Sequence, residues 1–276
     1  MQNRIADKFR ELAEKGETGL ICYVVAGYPD AETSKQVINA LVNGGTDIIE
    51  VGIPFSDPIA DGPTIQAASN DALRKGMTPE KALHLIRSVR RRHPNLPMLA
   101  MTYSNILIRA GMEKFMSNSK QCELDGFILP DMPVEEADIY MSTAAKHGLA
   151  TVFLVSPNTP EERLRKIVAS TTGFLYVVSV YGITGARNSF REYTMNTVRA
   201  VKKLSGAKVP VAVGFGISKP IHVKSMTAAG ADAVIIGSAL ISKISNESGK
   251  KMLQDLQYFA SSMKKACKKK TRTKYI

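Results

Sequence analysis

The sequence predicts an α/β fold, a single-domain (β/α)8 TIM barrel with an N-terminal helix and extra short helices. Eight short apolar runs alternate with helical patterns along 276 residues, without a linker or a break in composition. These runs lack polar/apolar alternation, as is typical of parallel strands that are covered on both faces. An open doubly wound sheet is the weaker alternative, because no G-x-G-x-x-G follows the first run.

An N-terminal helix is predicted over residues 1–14, where apolar residues recur at helical spacing among charged ones. This pattern is not that of a signal peptide. The eight strands are predicted in the short apolar runs at residues 19–26, 47–51, 97–102, 126–129, 151–155, 174–178, 209–213 and 233–236.

Helical patterns fill the intervals between these strands, and several carry start signals. An extra short helix over residues 63–75 begins with Pro at its first turn. A helix is expected over residues 134–147. Thr159 and Glu162 have the spacing of a capping box, and Ser218 is predicted to cap the helix after the seventh strand.

The composition is that of a protein with one large core. Hydrophobic residues make up 44% of the chain, and no apolar run reaches the length of a membrane span. The three cysteines, Cys22, Cys122 and Cys267, are far apart and odd in number. This pattern predicts that the protein resides in a reducing cytoplasm. The four histidines form no cluster, so no metal site is predicted.

Much of the net charge of +12 lies at the C-terminus. Residues 264–276 carry seven Lys or Arg and no acid, and without them the net charge falls to +5. We therefore predict a barrel domain over residues 1–263 and a basic, disordered tail over residues 264–276. No aromatic residues are interleaved with these charges, so no nucleic-acid partner is predicted. The remaining charge suits an enzyme with an anionic substrate.

Glycines follow the last two predicted strands, in Gly214-Phe215-Gly216 and Gly237-Ser238. In a barrel, the loops after strands seven and eight are the usual phosphate site. Glycine lets backbone N–H groups approach an anion closely, and a helix that starts just beyond adds the favourable end of its dipole. We predict a phosphate site held by backbone and hydroxyl donors, because neither segment contains Lys or Arg.

Glu50 lies near the end of the second predicted strand, between Ile49 and Val51. A buried carboxylate is costly unless it is paired or chemically active, and the strand interiors contain no Lys or Arg to pair with it. We expect desolvation to raise the pKa of Glu50 and to suit it to proton transfer. Asp57 and Asp61 follow in the loop, where composition alone favours turn residues and ligand-binding residues equally.

The stretch from Glu50 to Gln66 closely resembles the signature of the tryptophan synthase alpha subunit family. It reads Glu-Val-Gly-Ile-Pro-Phe-Ser-Asp-Pro, then Ile59, then Ala-Asp-Gly-Pro-Thr-Ile-Gln. The similarity runs from about residue 4 to residue 260. Further segments match in the same order: Tyr103-Ser104-Asn105, Asp131-Met132-Pro133-Val134-Glu135-Glu136, Gly182-Ile183-Thr184-Gly185, Gly214-Phe215-Gly216-Ile217 and Gly237-Ser238-Ala239.

The resemblance implies a lyase of tryptophan biosynthesis that cleaves indole-3-glycerol phosphate to indole and D-glyceraldehyde 3-phosphate. This retro-aldol reaction needs no cofactor in this subunit; the whole tryptophan synthase is classed as a carbon–oxygen lyase. Glu50 is implied as the catalytic acid and base, and Asp61 as the acid that binds the indole N–H and stabilises positive charge on the ring. The implied substrate-binding residues are Tyr23, Met101, Tyr103, Pro130, Tyr176, Thr184, Gly185, Phe215, Gly216, Gly237 and Ser238.

The resemblance also implies a protein partner. Indole would pass to a tryptophan synthase beta subunit in an alpha-beta-beta-alpha tetramer, with Asp57, Pro58 and Pro133 in segments that face this subunit. No membrane partner is expected.

Two long loops, residues 52–62 and 179–191, are predicted to act as lids that exclude water. The resemblance implies Thr184 as a latch between them. The chain departs from the family at Val180, where Arg is frequent, and at Arg187, where an acidic residue is frequent. These departures bear on lid closure and on communication with the beta subunit.

Other phosphate-binding barrels remain as alternatives: a sugar-phosphate isomerase, a stand-alone indole-releasing lyase or an aldolase. A Schiff-base aldolase needs Lys at a strand end, and none of the predicted strands ends in Lys. A non-catalytic regulator or nucleic-acid binder that uses the basic tail is an alternative from a different class. Deleting residues 264–276 would separate it from an enzyme.

Overall fold

The structure, a computed structural model, describes residues 3–178, 187–206, 208–214 and 216–268, without the side chains of residues 187–191. Within them, parallel strands form one sheet in the order β5-β4-β3-β2-β1-β9-β8-β7-β6. The strands are β1 Gly19–Val25, β2 Ile48–Gly52, β3 Met98–Met101, β4 Gly126–Ile128, β5 Ala150–Val152, β6 Leu154–Val155, β7 Leu175–Val178, β8 Val211–Gly214 and β9 Ala233–Ile236.

The two edge strands of this sheet are pieces of one bent strand. Only Phe153 separates β5 from β6, and these pieces pair with β4 and β7 respectively. The carbonyl of Phe153 accepts a hydrogen bond from the N–H of Tyr176 at 3.0 Å. The sheet therefore nearly closes on itself, which confirms the predicted barrel with its fifth strand broken by a bend.

Helices follow the strands and cover the outside of the barrel. Helix α3 begins where the sequence signal placed it, with Pro63 as its first residue. The Thr78 side chain caps α4. The helices are α1 Arg4–Glu14, α2 Ala31–Asn43, α3 Pro63–Arg74, α4 Pro79–Arg92, α5 Ser104–Ala110, α6 Met112–Gln121, α7 Asp138–Lys146, α8 Glu161–Ser170, α9 Arg187–Ser205, α10 Pro220–Ala229, α11 Ser238–Asn246 and α12 Gly249–Ala266.

Helix α1 closes the end of the barrel where the strands begin. Its Ile5 and Phe9 are buried in one cluster with side chains that point into the barrel, and the rings of Phe9 and Phe174 lie 5.9 Å apart. This packing explains the apolar periodicity of the N-terminal segment. The inward-pointing members of the cluster include Ile21, Ile48, Leu99, Ile128, Tyr176, Ala212 and Ile235.

The C-terminal helix extends beyond the predicted domain boundary. Helix α12 ends at Ala266, and Lys264 forms ion pairs with Asp47 at 2.8 Å and Glu17 at 3.1 Å. Cys267 is buried, and its carbonyl accepts from the N–H of Thr18. The folded chain therefore continues at least to Cys267, beyond the residue at which the predicted domain ends. Residues 269–276 of the predicted tail lie outside the described residues.

Three local predictions are wrong. The helix expected over residues 134–147 is a 3-10 turn, Val134–Glu136, followed by α7. Thr159 does not cap α8, because its hydroxyl accepts from the N–H of Ser156 in the preceding turn. Ser218 makes no cap either, since α10 begins at Pro220.

None of the helices in the described ranges is long and apolar enough to cross a membrane.

Candidate active site

Glu50 lies on the inner surface of the barrel, two residues before the end of β2. Its register neighbours are Tyr23 on β1 and Leu99 on β3. The side chain is completely buried, and neither carboxyl oxygen has a hydrogen-bond partner within the described part of the chain. Burial raises the pKa of Glu50 to about 8, because water that would solvate the charged form is excluded. The predicted desolvation of Glu50 is thus present in the structure.

Two tyrosine rings flank this carboxyl group, and each lies against a glycine. A Cβ atom at Gly52 would overlap the hydroxyl of Tyr23, and one at Gly214 would overlap the hydroxyl of Tyr176. Burial is the main cause that raises the pKa of both phenols well above the usual value, and the charge of Glu50 adds to it. Both tyrosines are therefore neutral donors at physiological pH.

Asp61 is held at the barrel mouth by the residue that follows β3. The Tyr103 hydroxyl donates to Asp61 Oδ2 at 3.1 Å and accepts from the N–H of Ala60 at 3.1 Å. The ring of Tyr103 stacks on Phe55 with centroids 5.2 Å apart. Burial raises the pKa of Asp61 to about 6, while the hydrogen bond from Tyr103 opposes this rise. Asp61 is therefore a partly buried carboxyl directed by a specific donor, as well as a turn residue.

The apolar candidates lie at neighbouring strand ends. Met101 is the last residue of β3 and pairs in register with Gly52 and Ile128. Pro130 follows β4 by two residues, and both Met101 and Pro130 are half-buried. The structure thus places Tyr23, Met101, Tyr103, Pro130 and Tyr176 around the same mouth as Glu50 and Asp61.

Backbone donors are available on the other side of the mouth. Gly216 has φ +74°, and within the described ranges the N–H groups of Gly216 and Ile217 have no hydrogen-bond partner. The N–H groups of Ser238 and Ala239 also lack one, as expected for the first residues of helix α11. Four donors of this kind match the needs of an anion, and none brings a side-chain charge.

One tyrosine side chain spans the distance between the two sides. A Cβ atom at Gly237 would contact the Cβ of Tyr23, and one at Gly52 would overlap the Tyr23 hydroxyl. Gly237 directly precedes α11, and Gly52 is two residues from Glu50 on the same face of β2. At the mouth, the start of α11 and the strand that carries Glu50 are therefore separated by about the length of one tyrosine side chain.

The remaining predicted residues lie in the segments after β2 or β4, or outside the described residues. Asp57 is exposed, Pro58 is buried and Pro133 is half-buried, all in segments after β2 or β4. Thr184, Gly185 and Phe215 lie outside the described residues, as do residues 179–186 of the second predicted lid.

Comparison with known proteins decides the family. The family described as "Tryptophan synthase alpha chain" matches residues 9–268. This chain belongs to the tryptophan synthase alpha chain family.

Relatives of known function and solved structures agree with this assignment. The tryptophan synthase alpha chain of Methanocaldococcus jannaschii is 45% identical over 86% of this chain and 83% of that protein. The Arabidopsis thaliana alpha chain is 40% identical over 95% and 94%. A crystal structure of tryptophan synthase from M. tuberculosis superposes with a TM-score of 0.86 at 31% identity, covering 97% of this chain and 99% of the other.

These matches confirm the family, the fold class and the lyase function in tryptophan biosynthesis that the sequence predicted for this alpha chain. Sequence reasoning missed the roles of Gly52 and Ala60. The period-2 spacing from Glu50 to Gly52 was the available signal for Gly52. No local signal points to Ala60, because its partner Tyr103 is 43 residues away in the sequence.

Proposed function

We propose that Glu50 and Asp61 of this chain carry out the retro-aldol cleavage of indole-3-glycerol phosphate to indole and D-glyceraldehyde 3-phosphate. The observation that carries the proposal is the completely buried, unpaired carboxyl of Glu50 at the barrel mouth. A structural carboxylate would have an ion pair or several donors, whereas this one is kept at an intermediate pKa by burial alone.

Glu50 serves both proton transfers. With a pKa of about 8 it is mainly protonated at neutral pH, so it first donates its proton to C3 of the indole ring. The resulting carboxylate then accepts the proton of the glycerol hydroxyl next to the ring. The carbon–carbon bond breaks as that oxygen becomes the aldehyde, and Glu50 is again protonated. Protons therefore balance over the cycle.

Asp61 supplies the electrostatic part of catalysis. Protonation at C3 places positive charge on the indole nitrogen, and a carboxylate near that N–H stabilises it. With a pKa of about 6, Asp61 is mainly ionised at neutral pH, while Glu50 is mainly protonated. Two carboxyl groups in different environments thus take different roles, proton transfer by Glu50 and stabilisation of positive charge by Asp61.

The substrate phosphate would bind the backbone donors of Gly216, Ile217, Ser238 and Ala239 near the start of α11. The indole ring would lie among Tyr23, Met101, Tyr103, Pro130 and Tyr176. Contacts from Thr184, Gly185 and Phe215, and closure of a lid that includes Val180 and Arg187, belong to this proposal on the strength of the resemblance in sequence.

A beta subunit would bind the rim formed by the segments after β2, β3 and β4, which include Asp57, Pro58 and Pro133. Three isoleucines on these segments support this: Ile59, Ile108 and Ile139 are 83%, 62% and 72% exposed. Isolated exposed apolar residues are ordinary, but three on consecutive rim segments fit a surface that a partner covers. Transfer of indole within an alpha-beta-beta-alpha tetramer, and a cytoplasmic location, stay predictions.

Incubation of the purified chain with indole-3-glycerol phosphate, with and without a beta subunit, tests the function by the indole released. Wild type should release indole, and Glu50→Gln should release at least about a thousandfold less while it stays folded. Glu113→Gln is the matched control, because Glu113 is an exposed carboxylate paired with Lys146 on the outer helices. Normal turnover by Glu50→Gln would exclude Glu50 as the acid and base.

A further inference from the structure

The loop after β8 is fixed by a histidine from the helix that follows it. Gly216 sits in this loop with φ +74°, a conformation in the left-handed region that favours glycine. Helix α10 begins at Pro220, and His222 is its third residue. The imidazole of His222 is half-buried beneath the loop.

One ring nitrogen of His222 faces two backbone groups of the loop. His222 Nδ1 lies 3.0 Å from the carbonyl oxygen of Gly216 and 3.3 Å from the amide nitrogen of Ser218. With its proton on Nδ1, the ring donates to the Gly216 carbonyl; without that proton, it accepts from the Ser218 N–H. The ring therefore fixes the backbone on one side of Ile217 in each form, and the form that carries the Nδ1 proton holds the Gly216 carbonyl.

This contact sets the direction of an adjacent donor. In a planar trans peptide, the carbonyl of one residue and the N–H of the next point in opposite directions. The carbonyl of Gly216 faces His222 on α10, so the N–H of Ile217 faces away from that helix. This N–H has no partner within the described ranges, and the Ile217 side chain is 6% exposed, which anchors the residue.

We propose that His222 is a positioning residue for the phosphate group of the substrate. It acts through the Gly216–Ile217 peptide, whose N–H it aims at a phosphate monoester bound between this loop and the start of α11. The inference rests on the proposed function of the loop as a phosphate site. His222 acts on the backbone of the loop, so its effect falls on substrate binding and leaves the chemistry at Glu50 unchanged.

The test compares three variants on α10. His222→Leu keeps the side-chain volume and removes the nitrogen, while His222→Asn keeps a polar atom at the position of Nδ1. Ile221→Ala is the matched control, because Ile221 is the neighbouring residue and is 51% exposed. For each variant, kcat and KM for indole-3-glycerol phosphate are measured, together with the inhibition constant of inorganic phosphate.

We expect His222→Leu to raise both KM and the inhibition constant of phosphate about tenfold, with kcat within twofold of wild type. His222→Asn should recover most of this loss, and Ile221→Ala should behave like wild type. Circular dichroism and thermal unfolding show that each variant is folded. If His222→Leu does not fold, comparison of His222→Asn with His222→Ser replaces it, with Ser as the variant too short to reach the loop.

Unchanged phosphate inhibition in a folded His222→Leu variant would overturn the inference, as would a fall in kcat with KM unchanged. Failure of the proposed function looks different: wild type itself would release no indole. The inference is then tested by the rise in melting temperature that inorganic phosphate gives to wild type and to His222→Leu. An equal rise in both proteins, or none in wild type, refutes the role of His222.

Discussion

At the scale of single residues, the site depends on a carboxyl group that the fold leaves unpaired. The pKa of Glu50 is raised from 4.5 to about 8 on folding. Between these two pH values the folded chain binds a proton that the unfolded chain has lost. Stability therefore falls as pH rises from about 5 to 8, and the contribution of Glu50 changes little above that range.

We predict that this pH dependence is weaker in Glu50→Gln, which cannot titrate. The free energy of unfolding of both proteins is measured by urea denaturation from pH 5 to pH 9. Wild type should lose stability relative to Glu50→Gln as pH rises, with the difference levelling off above pH 8. Parallel curves would show that the pKa of Glu50 is unshifted. Asp61, whose pKa is also raised, contributes to both proteins and cancels in the difference.

Tyr103 lowers the pKa of Asp61, the second carboxyl group of the site. Its hydroxyl donates to Asp61 and so stabilises the charged form, which lowers the pKa of Asp61 against the effect of burial. In Tyr103→Phe this donor is absent, so we expect the pKa of Asp61 to rise above about 6. The acidic limb of kcat/KM should move to higher pH, with a loss of about tenfold at pH 6. An unmoved limb with a lower plateau would mean that Tyr103 only shapes the pocket.

The close approach of Tyr23 to Gly52 gives a third residue-level prediction. Gly52→Ala introduces a Cβ where the Tyr23 hydroxyl lies, so either the ring or strand β2 must move. We expect a loss of about 1–3 kcal/mol in stability, as is usual for overpacking, and a fall in kcat. Combined with Tyr23→Leu, the substitution should cost clearly less than the sum of the single changes. Additive costs would show that the two residues are not in contact.

At the scale of elements, the sequence predicted most strands to within about two residues, because parallel barrel strands are uniformly apolar and bounded by turn residues. It missed the bend at Phe153, where nothing in the run from 151 to 155 differs from an ordinary strand. It also missed the caps: Thr159 and Ser218 have the right residue type, yet both helices begin one residue later than expected. Residue type indicates a helix start, whereas packing decides its position.

The features of the site also divide into those that residue type predicts and those that three-dimensional packing decides. Glu50 was predictable because a charge within an apolar strand is conspicuous and had no basic partner nearby in the sequence. Three other contacts were not predictable, since each depends on where side chains meet in three dimensions. They are the hydrogen bond from Tyr103 to Asp61, the packing of Tyr23 against Gly52 and the contact of His222 with Gly216.

The end of α12 carries an element-level prediction. Lys264 is the ion-pair partner of Asp47, a largely buried carboxylate whose Oδ2 also accepts from the N–H of Leu20. Lys264→Met leaves that charge without its cation, so we expect a loss of about 2–4 kcal/mol in the free energy of unfolding. Lys265→Met, at the neighbouring exposed position, should change stability by less than about 0.5 kcal/mol. Equal effects of the two changes would show that the ion pair makes no net contribution to the free energy of unfolding.

The ion pair of Lys264 also affects the design of the deletion experiment that the sequence analysis suggested for the basic tail. Removing residues 264–276 would also remove Lys264 and the buried Cys267, and so would test folding as well as the tail. A deletion that begins at residue 269 keeps the part of the chain that the structure describes and isolates the contribution of the basic residues beyond it.

At the scale of the whole molecule, the two ends of the barrel differ in whether their buried charged groups are paired. At the end where the strands begin, the guanidinium of Arg90 is 2% exposed and pairs with Asp125 at 2.7 Å. Arg4 of α1 joins the same carboxylate at 2.9 Å. At the mouth, Glu50 has no such partner. Paired charges at one end favour stability, and unpaired ones at the other favour chemistry, as the barrel architecture leads one to expect.

The rim of the mouth offers the last prediction, which concerns the beta subunit. Ile139 is 72% exposed at the start of α7, and a carboxylate there would have to be desolvated in an apolar interface. We expect Ile139→Glu to weaken binding of a beta subunit at least about tenfold, measured by calorimetry, while indole release by the isolated chain stays unchanged. Tyr258→Glu, at an exposed position of α12 away from the rim, should bind like wild type. Equal affinities for the two variants would place the partner on another face of the barrel.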